Sequence, residues 1–295
     1  MNNYVGVDIG GTKLKIGIVS KEGTLIDFKV YVTPTSKVKL TEKISEYIKE
    51  ASCNIVGIGF SVPGVIKDNG YTLTSGAVKY LLNLNLKKEF EDYFNLPVSV
   101  ENDGRCAALA EKWIGAAKWE KNFVVITLGT AIGGAVFFDG KLQRGFSGLT
   151  GSFGLMLATL SENELKEKTF DYHAATVGGL CRQYSYRVKE KVLDAKEIIF
   201  RAKNNDEIAK ECLNNFCYAV AILCINIAVS LNPESIYLGG GISENKEIIS
   251  EIKSKYLKII DNIKVLGLLE MSSLKVCESK NNAGLIGAVY SHLHL

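Results

Sequence analysis

Two short turns in this chain have the composition of phosphate holders. The first is Asp8-Ile9-Gly10-Gly11-Thr12-Lys13, where an apolar run meets a glycine pair. Without Cβ atoms, Gly10 and Gly11 let backbone N–H groups close on phosphate oxygens. Thr12 adds a hydroxyl donor and Lys13 a cation, while Asp8 could hold magnesium directly or through water. The second turn lies in Thr127-Leu128-Gly129-Thr130-Ala131-Ile132-Gly133-Gly134 and repeats the design with Gly129, Thr130, Gly133 and Gly134. Gly239-Gly240-Gly241, between an apolar run and a helical one, offers a third backbone surface, through Gly240 and Gly241 above all. Any one of these, taken alone, reads first as an ordinary hairpin or loop. Three together, two of them copies, point to a nucleotide. No G-x-x-x-x-G-K-[ST] pattern occurs, which excludes the P-loop fold.

A carboxylate completes the set. Asn102-Asp103-Gly104 opens a helical run, and a hydroxyl attacking phosphorus needs a base within hydrogen-bond reach. Asn and Asp before a helix are also preferred N-caps, so the pair has a purely structural reading as well. On residue types alone both readings stand.

The elements that must carry these residues form an internal echo. Residues 4–26 read as strand, glycine turn, strand, tight turn at Lys21-Glu22-Gly23, strand. Residues 123–143 read the same way, with their tight turn at Asp139-Gly140. Two copies about 120 residues apart suggest two lobes on one plan, at a spacing too long for a solenoid. Between the copies the pattern predicts a helix over 39–50, a strand over 55–60, a helix over 86–93, a strand over 97–101 and a helix over 105–113. Beyond the second copy it predicts helices over 174–191, 195–203 and 206–231. A strand over 235–238 follows, then helices over 244–255 and 283–292. Strands alternating with helices make the fold class α/β.

The ordered set of motifs resembles the ROK sugar kinases, a branch of the actin, hexokinase and heat-shock ATPase superfamily, and does so over essentially the whole chain. Val7-Asp8-Ile9-Gly10-Gly11-Thr12-Lys13 is similar to that family's first phosphate motif, and Thr127 to Gly134 to its second. Gly57-Ile58-Gly59-Phe60-Ser61-Val62-Pro63-Gly64 is similar to its G-x-x-x-P-G stretch, and Glu101-Asn102-Asp103 to its catalytic motif. Gly239 to Ser243 matches the adenosine-side loop, and Asn282-Ala283-Gly284-Leu285-Ile286-Gly287-Ala288 the closing helix.

The resemblance implies a two-lobed actin-like ATPase (ribonuclease H-like) fold with its active site in the interlobe cleft. The N-terminal lobe would comprise residues 1–114 and 283–295, and the C-terminal lobe residues 115–282. It implies an ATP- and Mg2+-dependent kinase in which Asp103 takes the proton from the sugar 6-hydroxyl. Asn102, Gly64, Asn83, Ser152 and Asp171 would lie at the sugar. Closure would expel water around the reacting groups. The family is usually dimeric, which implies a homodimer.

The sequence departs from the family after the second hairpin. Typical members carry Glu-x-Gly-His there, the Glu on the sugar and the His on the sugar and a structural zinc. This chain reads Gly151-Ser152-Phe153-Gly154-Leu155, so Ser152 and Leu155 replace them. The cysteine-rich zinc motif is also missing: between Leu155 and Cys181 the chain runs through Glu162-Asn163-Glu164-Leu165-Lys166-Glu167-Lys168 with no cysteine. Leucine has no donor atom for a metal, so no zinc site is expected. Asp171, in Phe170-Asp171-Tyr172-His173, is the acid nearest to the family's further sugar-binding Glu. His173 is expected to be a partly buried hydrogen-bonding residue. The replacements make room for a substituent, such as an N-acetyl group at C2 or a second sugar, as in zinc-less N-acetylmannosamine and β-glucoside kinases. N-acetylmannosamine is the first expectation and a glucokinase or β-glucoside kinase the alternative. A non-catalytic sugar sensor on the same fold is the rival of a different class, and a polyphosphate donor is a further alternative.

Composition fits an enzyme of this kind. The chain has 295 residues, 47% apolar and 23% charged, long enough for two domains. A net charge of +3, spread along the chain, gives no nucleic-acid stripe. Residues 216–231 are almost wholly apolar but shorter than the ~20 residues a membrane span needs, so a buried helix is expected there and no membrane partner. Met1-Asn2-Asn3-Tyr4 lacks the features of a signal peptide, and the fold starting at Tyr4 leaves no room for the helix-turn-helix of family repressors. With seven cysteines and no C-x-x-C pair, a reducing, cytoplasmic setting is expected, with Cys217 and Cys224 as small hydrophobes of one helix face.

Overall fold

The computed structural model describes residues 2–159 and 164–294. Met1, Glu162, Asn163 and Leu295, which figure in the expectations above, lie outside the described residues. The chain divides into two compact units. The first comprises Met1–Trp119, Arg144–Thr150 and Glu278–Leu295, the second Glu120–Gln143 and Gly151–Cys277.

The first unit is built on β1 (Asn3–Ile9), β2 (Lys13–Ser20), β3 (Leu25–Val32), α1 (Lys37–Glu50), β4 (Ile55–Val62), α2 (Leu86–Phe94), β5 (Val98–Asn102) and α3 (Asp103–Trp113). Its sheet runs β3-β2-β1-β4-β5, with β1, β2 and β3 antiparallel and β4 and β5 parallel to β1. The central strands are covered on both faces, which is why they read as near-continuous apolar runs. Val5, Val7, Ile9, Ile58, Phe60 and Val62 are all buried. The helix starts are set by caps. Ser36 Oγ accepts the amide of Lys39, Asn85 Oδ1 that of Lys88, and Asn102 Oδ1 that of Arg105.

The second unit repeats that sheet. It contains β6 (Phe123–Leu128), β7 (Ile132–Phe138), β8 (Lys141–Gln143), α4 (Phe170–Ala174), α5 (Arg182–Val188), α6 (Ala195–Lys203), α7 (Glu207–Leu231), β9 (Ser235–Gly239), α8 (Lys246–Asn262) and β10 (Ser273–Val276). The order is β10-β9-β6-β7-β8, again an antiparallel meander with two strands parallel to its first. The echoed hairpin is thus the visible part of an echoed sheet. The chain ends in α9 (Ala283–His294), which belongs to the first unit. There Gly287 lies so close to Cys106 of α3 that a Cβ would meet its carbonyl oxygen.

Three expectations change. The single helix over 174–191 is instead α4, a π turn over Thr176–Cys181 and α5. The amides of Thr176, Val177 and Gly178 donate to Gly129 O and Thr130 O, so the backbone leaves the helical ladder to brace the second glycine turn. The helix expected from 244 starts at Lys246, because Asn245 caps it by accepting the amides of Glu247 and Ile248. The four-residue edge strand β10 was not expected, since Ser-Leu-Lys-Val is too short for period-two alternation to stand out.

Helix α7 is the apolar segment weighed as a membrane span. It is 25 residues long, enough by length and composition to cross a bilayer, with 56% of its apolar window buried within the protein. Its inward face, including Cys212, Phe216, Cys217, Val220 and Cys224, is part of the second unit's core. Cys217 and Cys224 therefore serve as small hydrophobes.

Candidate active site

In both units the candidate residues gather where parallel strands end. In sheets of this kind ligands bind outside the carboxyl ends of the strands. In the first unit β1, β4 and β5 run parallel and end at Ile9, Val62 and Asn102. They deliver Gly10 to Lys13, Gly64, and Asn102 with Asp103.

Asp103 is the first residue of α3, and the cap position falls on Asn102. The structural and chemical readings of the pair therefore separate onto two neighbours. Asn102 Nδ2 donates to Gly64 O at 2.8 Å and to Asp103 Oδ1 at 3.0 Å. Asp103 Oδ1 also accepts the amide of Gly104 at 2.9 Å. Its contacts fall on one oxygen, which leaves Oδ2 to take a proton. The side chain reaches solvent, while the protein packed around it pushes the carboxyl up to about 6. The Gly104 amide works against that rise and the charge of Asp8 adds to it. A carboxylate poised near neutral pH suits general-base work.

Asp8 is the partly buried, second-last residue of β1. Its Oδ1 accepts the Ser61 hydroxyl at 2.8 Å, and its Oδ2 lies 3.5 Å from Lys15 Nζ. Register places Asp8 directly opposite Lys15 on β2. Lys15, rather than the Lys13 named from the sequence, is thus the cation beside Asp8; Lys13 is exposed at the start of β2. Counting residues outward from the turn was the available signal. Gly284 of α9 was another missed member: a Cβ there would lie 2.3 Å from Asp8 Cγ, so only glycine leaves room for the carboxylate. At the turn itself Gly10 N–H donates to Lys13 O at 2.9 Å, and Thr33 Oγ1 donates to Gly10 O at 2.7 Å. Gly11 and Thr12 are exposed at the tip.

Gly64 has φ of +107°, and a Cβ there would meet Thr74 O at 2.1 Å. Its glycine identity is therefore dictated by the backbone. Asn83, also left-handed, lies on an exposed turn and donates its N–H to Thr72 O. Among the described residues no hydrogen bond ties it to Asn102 or Asp103.

A buried ion pair behind Asp103 was also missed. Glu101 is fully buried, with Oε1 3.3 Å from Arg105 Nη1 and Oε2 2.6 Å from Arg144 Nη2. Arg105 Nη2 donates in turn to Gly148 O at 2.6 Å. Glu101 and Arg105 sit four residues apart across the strand–helix junction; Arg144 lies too far along the chain for spacing to have shown it.

In the second unit β6 and β9 are parallel and end at Leu128 and Gly239. Gly129 and Thr130 form the turn beyond β6, and Gly129 N–H donates to Ala131 O at 3.2 Å. Gly240 has φ of +91°, and a Cβ there would meet Leu128 O at 2.4 Å. The Gly240-Gly241 loop thus packs on the turn's own root, while Gly241 faces open space. Gly133 and Gly134 are strand residues of β7, paired with Thr127 and Ile126. A Cβ at Gly134 would strike Val125 O and the Phe153 ring, so that glycine serves packing.

Asp171 Oδ1 accepts the amide of Ile132 at 2.6 Å, which fixes the first residue of β7 next to the turn. Burial raises its carboxyl above the usual range, against the effect of that amide. Gly154 clears space for it, since a Cβ there would lie 2.0 Å from Oδ1. Ser152 precedes the turn Phe153–Leu155 and its carbonyl accepts the Leu155 amide; Leu155 is exposed. His173 is half-buried, its pKa lowered by burial, and its Nε2 is enclosed without a partner. Among the described residues no group of three His, Cys, Asp or Glu side chains could hold a metal ion.

The fold defines the class, that of the actin-like ATPases. The description of the ROK family matches residues 4–293, and the chain belongs to that family. A β-glucoside kinase of Listeria innocua is 31% identical over 290 residues, covering 97% of this chain and 96% of that protein. A solved ROK family protein of Streptococcus pneumoniae, in complex with sucrose, superposes with a TM-score of 0.89 at 27% identity, over 99% of this chain and 98% of that one. A solved Listeria monocytogenes protein, described as a candidate N-acetylmannosamine kinase, gives 0.86 at 29% identity over 99% and 98%.

Proposed function

We propose that this protein transfers the γ-phosphoryl group of ATP to the 6-hydroxyl of a hexose or amino sugar that carries a substituent. N-acetylmannosamine is the first candidate and a β-glucoside the second. The class itself, a sugar kinase, follows from the family and its named kinase members. The observation that carries the reading is Asp103, an accessible carboxylate at the mouth of α3, held on one oxygen and pushed up to about 6.

In the transfer, Asp103 accepts the proton of the sugar 6-hydroxyl, O6 forms a bond to the γ-phosphorus, and the bond from phosphorus to the bridging oxygen breaks to release ADP. Within the first unit the amides of the Gly10–Thr12 turn suit phosphate oxygens, and within the second those of the Gly129–Thr130 turn and of Gly240-Gly241 do. Asp8 fits a Mg2+ ion by its chemistry, offering hard carboxylate oxygens at the edge of the first turn. When bound, Mg2+ neutralises charge on the phosphoryl oxygens. Zinc has no place in this scheme.

The substituent is supported by Ser152 and Leu155, which replace the bulkier polar pair expected of the family. A β-glucoside is supported by the 31% identity to the Listeria innocua kinase. The protein is read as a cytoplasmic homodimer, and its free, mostly buried cysteines suit a reducing compartment. The test is ADP release from Mg-ATP over a panel of N-acetylmannosamine, glucose, mannose, fructose, N-acetylglucosamine and cellobiose. Turnover with one of them is expected. None, on folded protein that binds ATP, would favour the sugar sensor, or polyphosphate as donor if that replaces ATP successfully.

A further inference from the structure

The loop Arg144–Thr150 belongs to the first unit although its neighbours in sequence belong to the second. Its base is closed by Thr150 N–H on Arg144 O at 3.4 Å. Arg144 is tied to Glu101 at 2.6 Å and to Asp68 at 3.5 Å, and Gly148 O accepts from Arg105 at 2.6 Å. Gly148 lies on the segment just after Gly64, since a Cβ there would come 3.3 Å from Ile66 O. The loop is thus fastened to the two segments that supply Gly64, Asn102 and Asp103. Gly145 and Gly148, with φ of +71° and +78°, turn the backbone on either side of Phe146-Ser147. What the fastened loop presents is apolar: Phe146 is fully exposed and Leu149 is half-exposed.

An aromatic ring left in water on a tightly anchored loop gives the fold no burial, while pre-organisation favours it as a ligand contact. We infer that Phe146 is a specificity-determining residue that packs against what the substrate carries beyond the phosphorylated ring, and that this substituent is a second sugar ring or an aryl aglycone. An N-acetyl group is small and polar at its amide, whereas the apolar face of a pyranose or aryl ring matches an exposed phenyl. The inference rests on the sugar-kinase reading and selects between its two candidate substrates.

The experiment compares kcat/KM for cellobiose and for glucose in wild-type, Phe146→Ala and Phe146→Trp proteins. The cellobiose-to-glucose ratio is expected to fall about tenfold in Phe146→Ala and to recover in Phe146→Trp. In Phe146→Trp, cellobiose should also quench the added indole fluorescence, measured against wild type. An unchanged ratio in Phe146→Ala, or a wild-type enzyme that uses only monosaccharides, overturns the role of Phe146 and leaves the kinase reading intact. A wild-type enzyme that turns over no sugar overturns that reading and this inference with it.

Discussion

The two glycine turns share a hairpin and differ in what stands behind it. Two residues before the first turn is Asp8, paired across the strands with Lys15. Two residues before the second is Thr127, paired with Gly133. The first turn is therefore set beside charge, and the charge of Asp8 adds to the rise at Asp103. The second has no charged residue at the matching strand position and is held from outside. Thr176, Val177 and Gly178 donate amides to its carbonyls, and Asp171 holds the amide of Ile132 just beyond it. On the roles proposed above, one duplicated backbone carries two tasks, ionic chemistry in the first unit and rigid presentation in the second.

The strongest way to break this division is at Asp103. Asp103→Asn keeps the side-chain shape but cannot accept a proton, so kcat should fall about a thousandfold while the sugar dissociation constant changes little. Stopped assays with calorimetric binding would read both. Stability should move the other way. A carboxyl whose folded pKa is raised disfavours the folded state once pH exceeds its unfolded value, so the Asn variant should melt slightly higher at neutral pH. A variant that loses activity by unfolding would show the reverse.

The pH profile sharpens the same point. The base must be ionised to act and its carboxyl is pushed up to about 6, so kcat/KM should rise with pH through about 6 and level off above it. A profile flat between pH 5 and 7.5 would remove Asp103 from the role.

Much of this is legible in the sequence, for identifiable reasons. Strand pairing near a tight turn is local, so the two hairpins stood out by spacing. The cap at Asn102-Asp103 is local as well, and so are those at Ser36 and Asn85, which were not among the expectations. What stayed hidden was set by tertiary contact. Nothing in Thr176-Val177-Gly178 announces that its amides will serve another loop, so that stretch read as plain helix. Gly284 looks like a helix-packing glycine until Asp8 is seen against it. Arg144 reads as a surface arginine until it is found on Glu101. The resemblance places Asp171 at the sugar, and in the structure its Oδ1 is engaged by the Ile132 amide.

That engagement gives the next prediction. Asp171→Ala leaves a buried N–H without its partner at the start of β7, which should cost about 2 kcal/mol of stability by denaturant unfolding. If Asp171 acts by presenting the second turn, the KM for ATP should rise more than the KM for sugar. The opposite pattern would return Asp171 to the sugar side.

The smallest expected effect tests the brace alone. Thr176 Oγ1 donates to Leu128 O at 3.0 Å, while its amide separately donates to Gly129 O at 2.9 Å. Thr176→Val preserves the branched shape and the amide and removes only the hydroxyl. The loss of one such bond should cost about 1 kcal/mol of stability. In kinetics it should raise the KM for ATP a few-fold and leave that for sugar unchanged, because β6 ends at Leu128 and the turn hangs from that end. The matching change in the first unit, Thr33→Val, removes the bond from Thr33 Oγ1 to Gly10 O at 2.7 Å. There the turn sits beside Asp8, so loosening it should lower kcat as well as weaken ATP binding. If both variants raise the KM for ATP alone and leave kcat untouched, the two turns do the same work and the division between charge and presentation fails.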